Sequence, residues 1–261
     1  MAGDGVVFVA WQHPERRGIY PVGRLLERSE APRFEFTYIA GVREAAAAGF
    51  SPFLAFPELN AVYRSDQLFP LFQNRLMPAN RPDYPEYLKR LDLPADVGPV
   101  TLLLRSGGGR ATDRVELFGR PTLDRSRTVF SYEFFVRAVR HIPYAEETAR
   151  SLQPGERLRC TSDWQNPSDL NAILLRTEPP ALIGFLPQYI AEDLESHAST
   201  RQSLEVHVVR VNPEPAPPQH RVFCRLNAPA RDGFVPFASP RYQPTASDAW
   251  ALPPIADAVA T

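Results

Sequence analysis

Short hydrophobic segments separated by prolines and polar residues dominate the first part of the chain. Val6–Trp11 and Ile19–Leu26 are β-prone, and Arg33–Tyr38 alternates apolar and polar side chains with the period of two typical of a half-buried strand. These segments predict a small antiparallel sheet. Short helices are predicted beside it, over Val42–Ala48, Leu68–Met77 and Tyr84–Leu93.

Two further apolar segments flank a run of three glycines. Val100–Leu104 and Val115–Phe118 are predicted to be strands, with Gly107–Gly109 as a flexible turn between them. A phosphate-binding loop would require a Lys-Ser/Thr pair and a following helix, and neither follows these glycines.

The second part of the chain is again rich in β-prone segments. Strands are predicted over Val129–Val139, Arg157–Thr161, Asn171–Arg176, Ala181–Phe185, Leu204–Val211 and Arg221–Leu226. Helical segments are predicted over Glu146–Ser151 and Pro187–His197. We therefore expect an α+β protein with an N-terminal domain over residues 1–127 and a second domain over 128–228. Residues 229–261, rich in proline and alanine, are expected to be extended or disordered.

Charge limits what the chain can bind. The net charge is −1, and residues 128–228 carry 10 Arg and no Lys against 12 Asp and Glu. Proteins that bind duplex backbones non-specifically show a strong positive excess, because each neutralised phosphate needs a basic residue. Binding of nucleic acid would therefore be local and weak, or directed at a special feature such as a strand end.

Other classes of function lack their usual residues. The two cysteines, Cys160 and Cys224, form no disulfide framework and suit a reducing cytoplasm, where we expect the protein to reside. The sequence contains no membrane-spanning segment, zinc-ligand spacing or G-x-S-x-G motif. We expect no secretion through a signal peptide, because the first residues lack a basic region and a long apolar region. The acidic residues Glu192, Asp193 and Glu195 point in different directions on a helix, so a solvated face is favoured over a metal site. We expect no metal, no cofactor and no catalysis, although an enzyme remains an alternative.

Three blocks in the second domain resemble the HIRAN domain family. They are a first strand at Phe134–His141, a strand, polar turn and strand at Arg159–Ile173 with the pattern N-P-x-D-x-N-A, and a segment entering a helix at Ile183–Ala191. The resemblance implies an OB-like or SH3-like β-barrel with one or two helices. The turn itself is coherent, because Asn166-Pro167 favours a tight bend that presents Asp169 from a rigid loop.

In the eukaryotic members of this family the domain captures the 3′ end of single-stranded DNA, and what the resemblance implies is stacking of bases on aromatic side chains and an acidic residue that receives the terminal hydroxyl. By position, the resemblance makes Asp169 the hydroxyl acceptor and Asn166 and Arg140 polar contacts. Family positions that are aromatic or basic are occupied here by Ser168, His141 and Gln188. Stacking is then expected from Trp164, Phe185 or Tyr144.

The first domain is similar in layout to the N-terminal subdomain of HipA-type kinase toxins. The similarity lies in Val22–Leu25, Phe34–Tyr38 and Leu68–Met77, which run from a small sheet to an apolar helix. No kinase domain follows. We expect this domain to contact a protein partner or to help shape the site.

Two hypotheses follow from the sequence. The first is a binding protein for single-stranded DNA or DNA ends, acting in repair, replication or defence. The alternative is a regulatory protein-interaction adaptor, for example one linked to a toxin–antitoxin system. The near-neutral charge and proline-rich surface favour this alternative.

Overall fold

A computed structural model describes residues 5–110, 113–124, 126, 128–166, 169–195, 203–230 and 234–258. The chain forms two units. The first comprises residues 1–89, 93–120 and 237–254, and the second comprises residues 90–92, 121–236 and 255–261. Most of the second unit, residues 121–236, therefore lies in sequence between two segments of the first.

The first unit is built on a five-stranded antiparallel sheet with the order β4-β3-β2-β1-β5. Its strands are β1 (Val6–Gln12), β2 (Ile19–Glu27), β3 (Phe34–Tyr38), β4 (Val62–Ser65) and β5 (Val115–Phe118). Apolar side chains from one face, including Val9, Leu25 and Phe36, form a core with the surrounding helices and loops. The sheet predicted from the apolar segments is thus present.

Four short helices accompany this sheet. They are α1 (Val42–Ala47), α2 (Pro70–Gln73), α3 (Tyr84–Arg90) and α4 (Pro99–Ser106). The segment Leu68–Met77, predicted to be helical throughout, is helical over only four residues. Beyond its end, Arg75 is buried and donates to the carbonyl oxygen of Gly108 (2.8 Å) and to the carboxylate of Asp113.

The strand predicted over Val100–Leu104 is wrong, because these residues lie in α4. Pro99 occupies the first turn, where its missing N–H costs nothing, and Gly107 ends the helix with a φ of 70°. A short apolar run does not distinguish a buried strand from a buried helix. The glycine run therefore caps a helix and does not connect two strands.

Part of the segment after residue 229, which was expected to be extended or disordered, packs within the first unit. Phe237, Tyr242 and Ala246 are buried, and the rings of Phe237 and Tyr242 contact the ring of Phe8 on β1. These side chains cover the face of the first sheet that is turned away from its helices. A few well-placed aromatic residues therefore order a segment whose composition suggests disorder.

The second unit contains a seven-stranded antiparallel sheet with the order β10-β9-β8-β11-β12-β7-β6. Its strands are β6 (Thr122–Leu123), β7 (Val129–Phe135), β8 (Arg157–Ser162), β9 (Ile173–Arg176), β10 (Leu182–Phe185), β11 (Glu205–Val211) and β12 (Val222–Pro229). Its helices are α5 (Ala145–Ser151) and α6 (Gln188–Glu195). The α+β class is confirmed.

The strands of this sheet do not form a fully closed barrel. The chain beyond β7 nevertheless reaches β10, where Arg137 and Phe185 form an isolated antiparallel bridge. Gly184 permits this approach, because a Cβ atom there would lie 2.4 Å from the carbonyl oxygen of Arg137. The sheet thus curls until its two sides meet at one bridge.

Among the described residues, no helix has the length and apolar character needed to cross a bilayer.

Candidate nucleic-acid interface

The polar turn between β8 and β9 is held together by its own side chains. The Asn166 Oδ1 atom accepts a hydrogen bond from the Asp169 N–H (3.1 Å), and the Asp169 Oδ1 atom accepts one from the Asn171 N–H (2.9 Å). The Asn166 Nδ2 atom donates to Asp163 (3.3 Å). Such side-chain-to-backbone bonds stabilise tight turns. Pro167 and Ser168 lie outside the described residues.

These bonds indicate different roles for Asn166 and Asp169, which were both predicted to contact the ligand. The amide of Asn166 is engaged at both its oxygen and its nitrogen within the turn, so its main contribution is to fix the loop. Asp169 uses Oδ1 to hold the turn and is only partly buried. A carboxylate held in this way is presented from a pre-ordered loop, which lowers the entropic cost of ligand binding.

Backbone hydrogen bonds bring the turn and the segment after β7 to the same end of β10. Ile173, at the end of the turn, pairs with Ser162 and accepts a hydrogen bond from the Leu186 N–H (3.0 Å). On the other side, Arg137 pairs with Phe185, and a 3₁₀ helix over Val139–His141 follows. The three blocks identified in the sequence therefore converge.

Arg140 and His141 are exposed on this 3₁₀ helix. The Arg140 Nε–H donates to the His141 Nε2 atom across 3.0 Å, so the imidazole acts as an acceptor at that nitrogen. The guanidinium retains its other N–H groups for an anionic or polar ligand. The structure thus keeps these two predicted site residues together at the surface.

The candidate stacking residues differ in exposure. Trp164, in the turn, is 72% exposed, and Tyr144, after the 3₁₀ helix, is 78% exposed. Phe185 is half-buried and its backbone pairs with Arg137, so its first role is structural. Tyr144 has a φ of 64°, a conformation that costs a bulky residue free energy and often occurs at functional sites. Trp164 and Tyr144 are therefore the better candidates for stacking.

Gln188 lies at the start of α6, where it contacts its own helix. Its Nε2 atom donates to the Glu192 Oε1 atom one turn later, across 2.8 Å. The next residue, Asp193, accepts a hydrogen bond from the Tyr132 hydroxyl (3.1 Å). The acidic residues of α6 thus serve separate contacts, and the described residues include no group of three or more potential metal ligands.

The two cysteines are poorly suited to nucleophilic or metal chemistry. Burial raises the pKa of the Cys160 thiol to about 11 and raises the pKa of the fully buried Cys224 still further. A thiol is reactive only as the thiolate, so both side chains behave as small apolar groups at neutral pH.

Sequence analysis missed two features of this region. Leu170, 76% exposed beside Asp169, adds an apolar surface to the turn, and its only sequence signal is its place in a polar stretch. Asp163 closes the turn, because its main-chain N–H donates to the Ala172 carbonyl oxygen (2.9 Å) and its carboxylate accepts from Asn166.

Comparison with protein-family models identifies the same region of the chain. Residues 129–228 match the family model of the HIRAN domain. The HIRAN prediction is thereby confirmed for the second part of the chain. No curated protein matches the chain.

Two crystal structures are each similar to a part of the chain. A protein from Lactobacillus plantarum is 17% identical, with a TM-score of 0.32, over 40% of this chain and 99% of its own. The HIRAN domain of human HLTF is 19% identical, with a TM-score of 0.28, over 38% of this chain and 73% of its own.

Proposed function

We propose that the HIRAN region binds nucleic acid, with single-stranded DNA or a DNA end as its preferred ligand, in repair, replication or defence. The observation that carries this proposal is the highly exposed ring of Trp164 in the same hydrogen-bonded turn as Asp169, with Tyr144 as a second exposed aromatic residue of the same unit. An exposed aromatic ring offers a face on which a nucleic-acid base can stack.

Stacking accounts for binding without a large basic surface. Each base stacked on an aromatic side chain contributes about 1–3 kcal/mol with little dependence on sequence. Arg140, exposed on the 3₁₀ helix of the same unit, supplies one local positive charge. Because residues 128–228 carry more acidic than basic residues, we expect few phosphate contacts and a shallow dependence of affinity on salt concentration.

Asp169 favours a strand end over a continuous strand. A carboxylate accepts a hydrogen bond from a terminal hydroxyl, whereas a phosphate at the same place is repelled by the like charge. The partly buried setting of the carboxylate strengthens this discrimination, since charge interactions are weakened less by solvent there.

Fluorescence anisotropy of the full chain with three labelled oligonucleotides tests the proposal. We expect single-stranded DNA with a 3′-hydroxyl to bind more tightly than the same strand with a 3′-phosphate, and a blunt duplex to bind most weakly. The matched variant Asp169→Asn retains an oxygen that can hold the turn but removes the charge. It should bind both single strands with similar affinity.

Arg140→Ala should weaken binding of both single strands, and Arg81→Ala, which removes an exposed arginine of the first unit, serves as the control. Wild-type protein that binds none of the three oligonucleotides would contradict the proposal. Equal binding of the two single strands by wild type would retain nucleic-acid binding but remove the role given to Asp169.

A further inference from the structure

A short extended segment of the chain, residues 248–254, lies on the outward face of the first sheet and is held there by charged side chains. We call this segment the strap. The Arg64 guanidinium donates to the Asp248 carbonyl oxygen (2.7 Å), and Glu35 accepts the Trp250 N–H (2.7 Å). Arg24 donates to the carbonyl oxygen of Trp250.

The contacts continue to the end of the strap. Arg120 donates to the carbonyl oxygens of Pro253 (2.7 Å) and Pro254 (3.1 Å). Most of these contacts therefore involve the main chain of the strap, and each has an ionised partner, which makes it stronger than a neutral hydrogen bond. Main-chain carbonyl and N–H groups of this kind are also what any extended peptide offers to a binding site.

The Trp250 ring of the strap lies beside two arginine side chains. The Arg28 guanidinium lies 4.0 Å from the centre of the Trp250 ring, and the Arg64 guanidinium lies 5.7 Å from it. Both distances allow a cation–π interaction. Arg64 also forms an ion pair with Glu35 (3.0 Å), so the groups that bind the strap are held in position by one another.

The strap differs from the segment that precedes it. Phe237, Tyr242 and Ala246 are buried in the first unit, whereas Trp250 and Leu252 are only half-buried and Pro254 is exposed. Detachment of the strap would thus expose little apolar surface, while detachment of the preceding segment would open a core. The strap is held mainly by polar contacts, so it can detach without exposing the core of the first unit.

We propose that this face is a binding site for an extended peptide from a partner protein, and that the strap is its resident occupant. The peptide would carry a tryptophan followed three and four residues later by prolines, as in Trp250-Ala251-Leu252-Pro253-Pro254. Prolines suit such a ligand because they keep it extended before binding and so lower the entropic cost.

The acidic group of the site favours a peptide over a nucleic acid. Glu35 is fully buried and accepts a main-chain N–H, a donor that every non-proline residue of a peptide offers. A phosphate brought to the same position would meet a like charge in a poorly solvated environment. The three arginines that surround it, Arg24, Arg64 and Arg120, donate equally well to peptide carbonyl oxygens.

Competition between the strap and an added peptide provides the test. A tethered segment has an effective concentration in the millimolar range, so the wild-type site should be largely closed to a free peptide. Weakening the strap with Trp250→Ala should raise the open fraction and tighten binding of a fluorescein-labelled peptide of residues 246–256 by about tenfold. The probe retains its own tryptophan.

Three controls accompany this measurement in the full chain. A labelled peptide that carries the Trp250→Ala change should not bind, and adding Arg28→Ala to the W250A chain should abolish the gain. The matched surface variant Leu54→Ala, which removes an exposed apolar side chain elsewhere, should behave as wild type. A W250A chain that melts at the wild-type temperature and binds the peptide no better than wild type would overturn the proposal.

Hydrogen exchange of the unaltered chain gives a second measurement that does not depend on any variant folding. The Trp250 amide donates to Glu35 and the Thr245 amide donates to the Tyr38 carbonyl oxygen (3.0 Å). We expect the Trp250 amide to exchange faster, and faster still with excess unlabelled peptide. The proposal would be overturned if the two amides were equally protected and the peptide changed neither exchange rate. It would also be overturned if the W250A chain bound an oligonucleotide more tightly than wild type does.

Discussion

Arg137 and Phe185 exchange two main-chain hydrogen bonds, each 2.9 Å long, which join the chain after β7 to the end of β10. This pair fixes the distance between the 3₁₀ helix that carries Arg140 and the strand that leads to α6. It is therefore the contact that brings the separate parts of the candidate interface to one end of the sheet.

Substitution of Gly184 should break this pair. A Cβ atom at position 184 would lie 2.4 Å from the Arg137 carbonyl oxygen and 2.5 Å from a methyl group of Val136. We expect Gly184→Ala to lower the free energy of unfolding by about 1–3 kcal/mol, because backbone must move to accept the methyl group. Urea denaturation measures the change.

The control for this prediction is Gly109→Ala, because a Cβ atom at Gly109 would meet nothing within 4 Å and its φ is not positive. Its free energy of unfolding should stay near that of wild type. If the Gly184→Ala protein were as stable as the control, the backbone of β10 and of the Arg137 segment would be able to move apart without loss of free energy of unfolding.

The exposed indole of Trp164 should contribute to binding and little to stability. Trp164→Ala is expected to weaken binding of single-stranded DNA by about 1–3 kcal/mol, the usual value for one base stacked on an aromatic side chain. Trp164→Phe should retain most of the affinity because it keeps a ring. Both variants should melt near the wild-type temperature, since the side chain is 72% exposed. Unchanged affinity in Trp164→Ala would exclude stacking at this position.

Asp124 should make the second unit sensitive to acid. Its carboxylate accepts hydrogen bonds from the Ser126 hydroxyl and from the N–H groups of Thr128 (2.6 Å) and Val129 (2.7 Å), which lowers its pKa from 3.8 to about 2. Because the pKa of Asp124 is lower in the folded state than in the unfolded state, its ionised carboxylate stabilises the folded state fully above pH 3.8. This stabilisation is lost as the pH falls through about 2.

Comparison of wild type with Asp124→Asn isolates this effect. Wild type should be the more stable protein at neutral pH, and the difference in urea midpoint should shrink between about pH 4 and 2. A difference that stays constant over this range would assign the stabilisation to something other than the charge of Asp124.

Local sequence patterns predicted many strands of both units, because a strand with one buried face alternates apolar and polar side chains and is rich in β-branched residues. The Arg33–Tyr38 segment became β3, and Leu204–Val211 contains β11. The error at Val100–Leu104 has a clear cause, since a five-residue apolar run fits a helix and a strand equally. Pro99 and Gly107 were the signals that could have decided between them.

The candidate site was predicted in part. The N-P-x-D turn identified Asn166 and Asp169, and the structure shows the hydrogen bonds that order them. Which aromatic residues are exposed could not be read from sequence, because Tyr144 and Phe185 look alike until the Arg137–Phe185 bridge is known. The order of residues 237–254 was missed for the same reason: it depends on aromatic partners more than 200 residues away.

The covering of Phe8 by Phe237 and Tyr242 also bears on how the protein is made. On a ribosome, β1 leaves the exit tunnel long before the aromatic residues that cover it have been translated. At about 5–20 residues per second the delay is on the order of 10–50 s. During that time the apolar side chain of Phe8 lacks its cover, so we expect chaperones to bind this part of the nascent chain until residue 242 has left the exit tunnel.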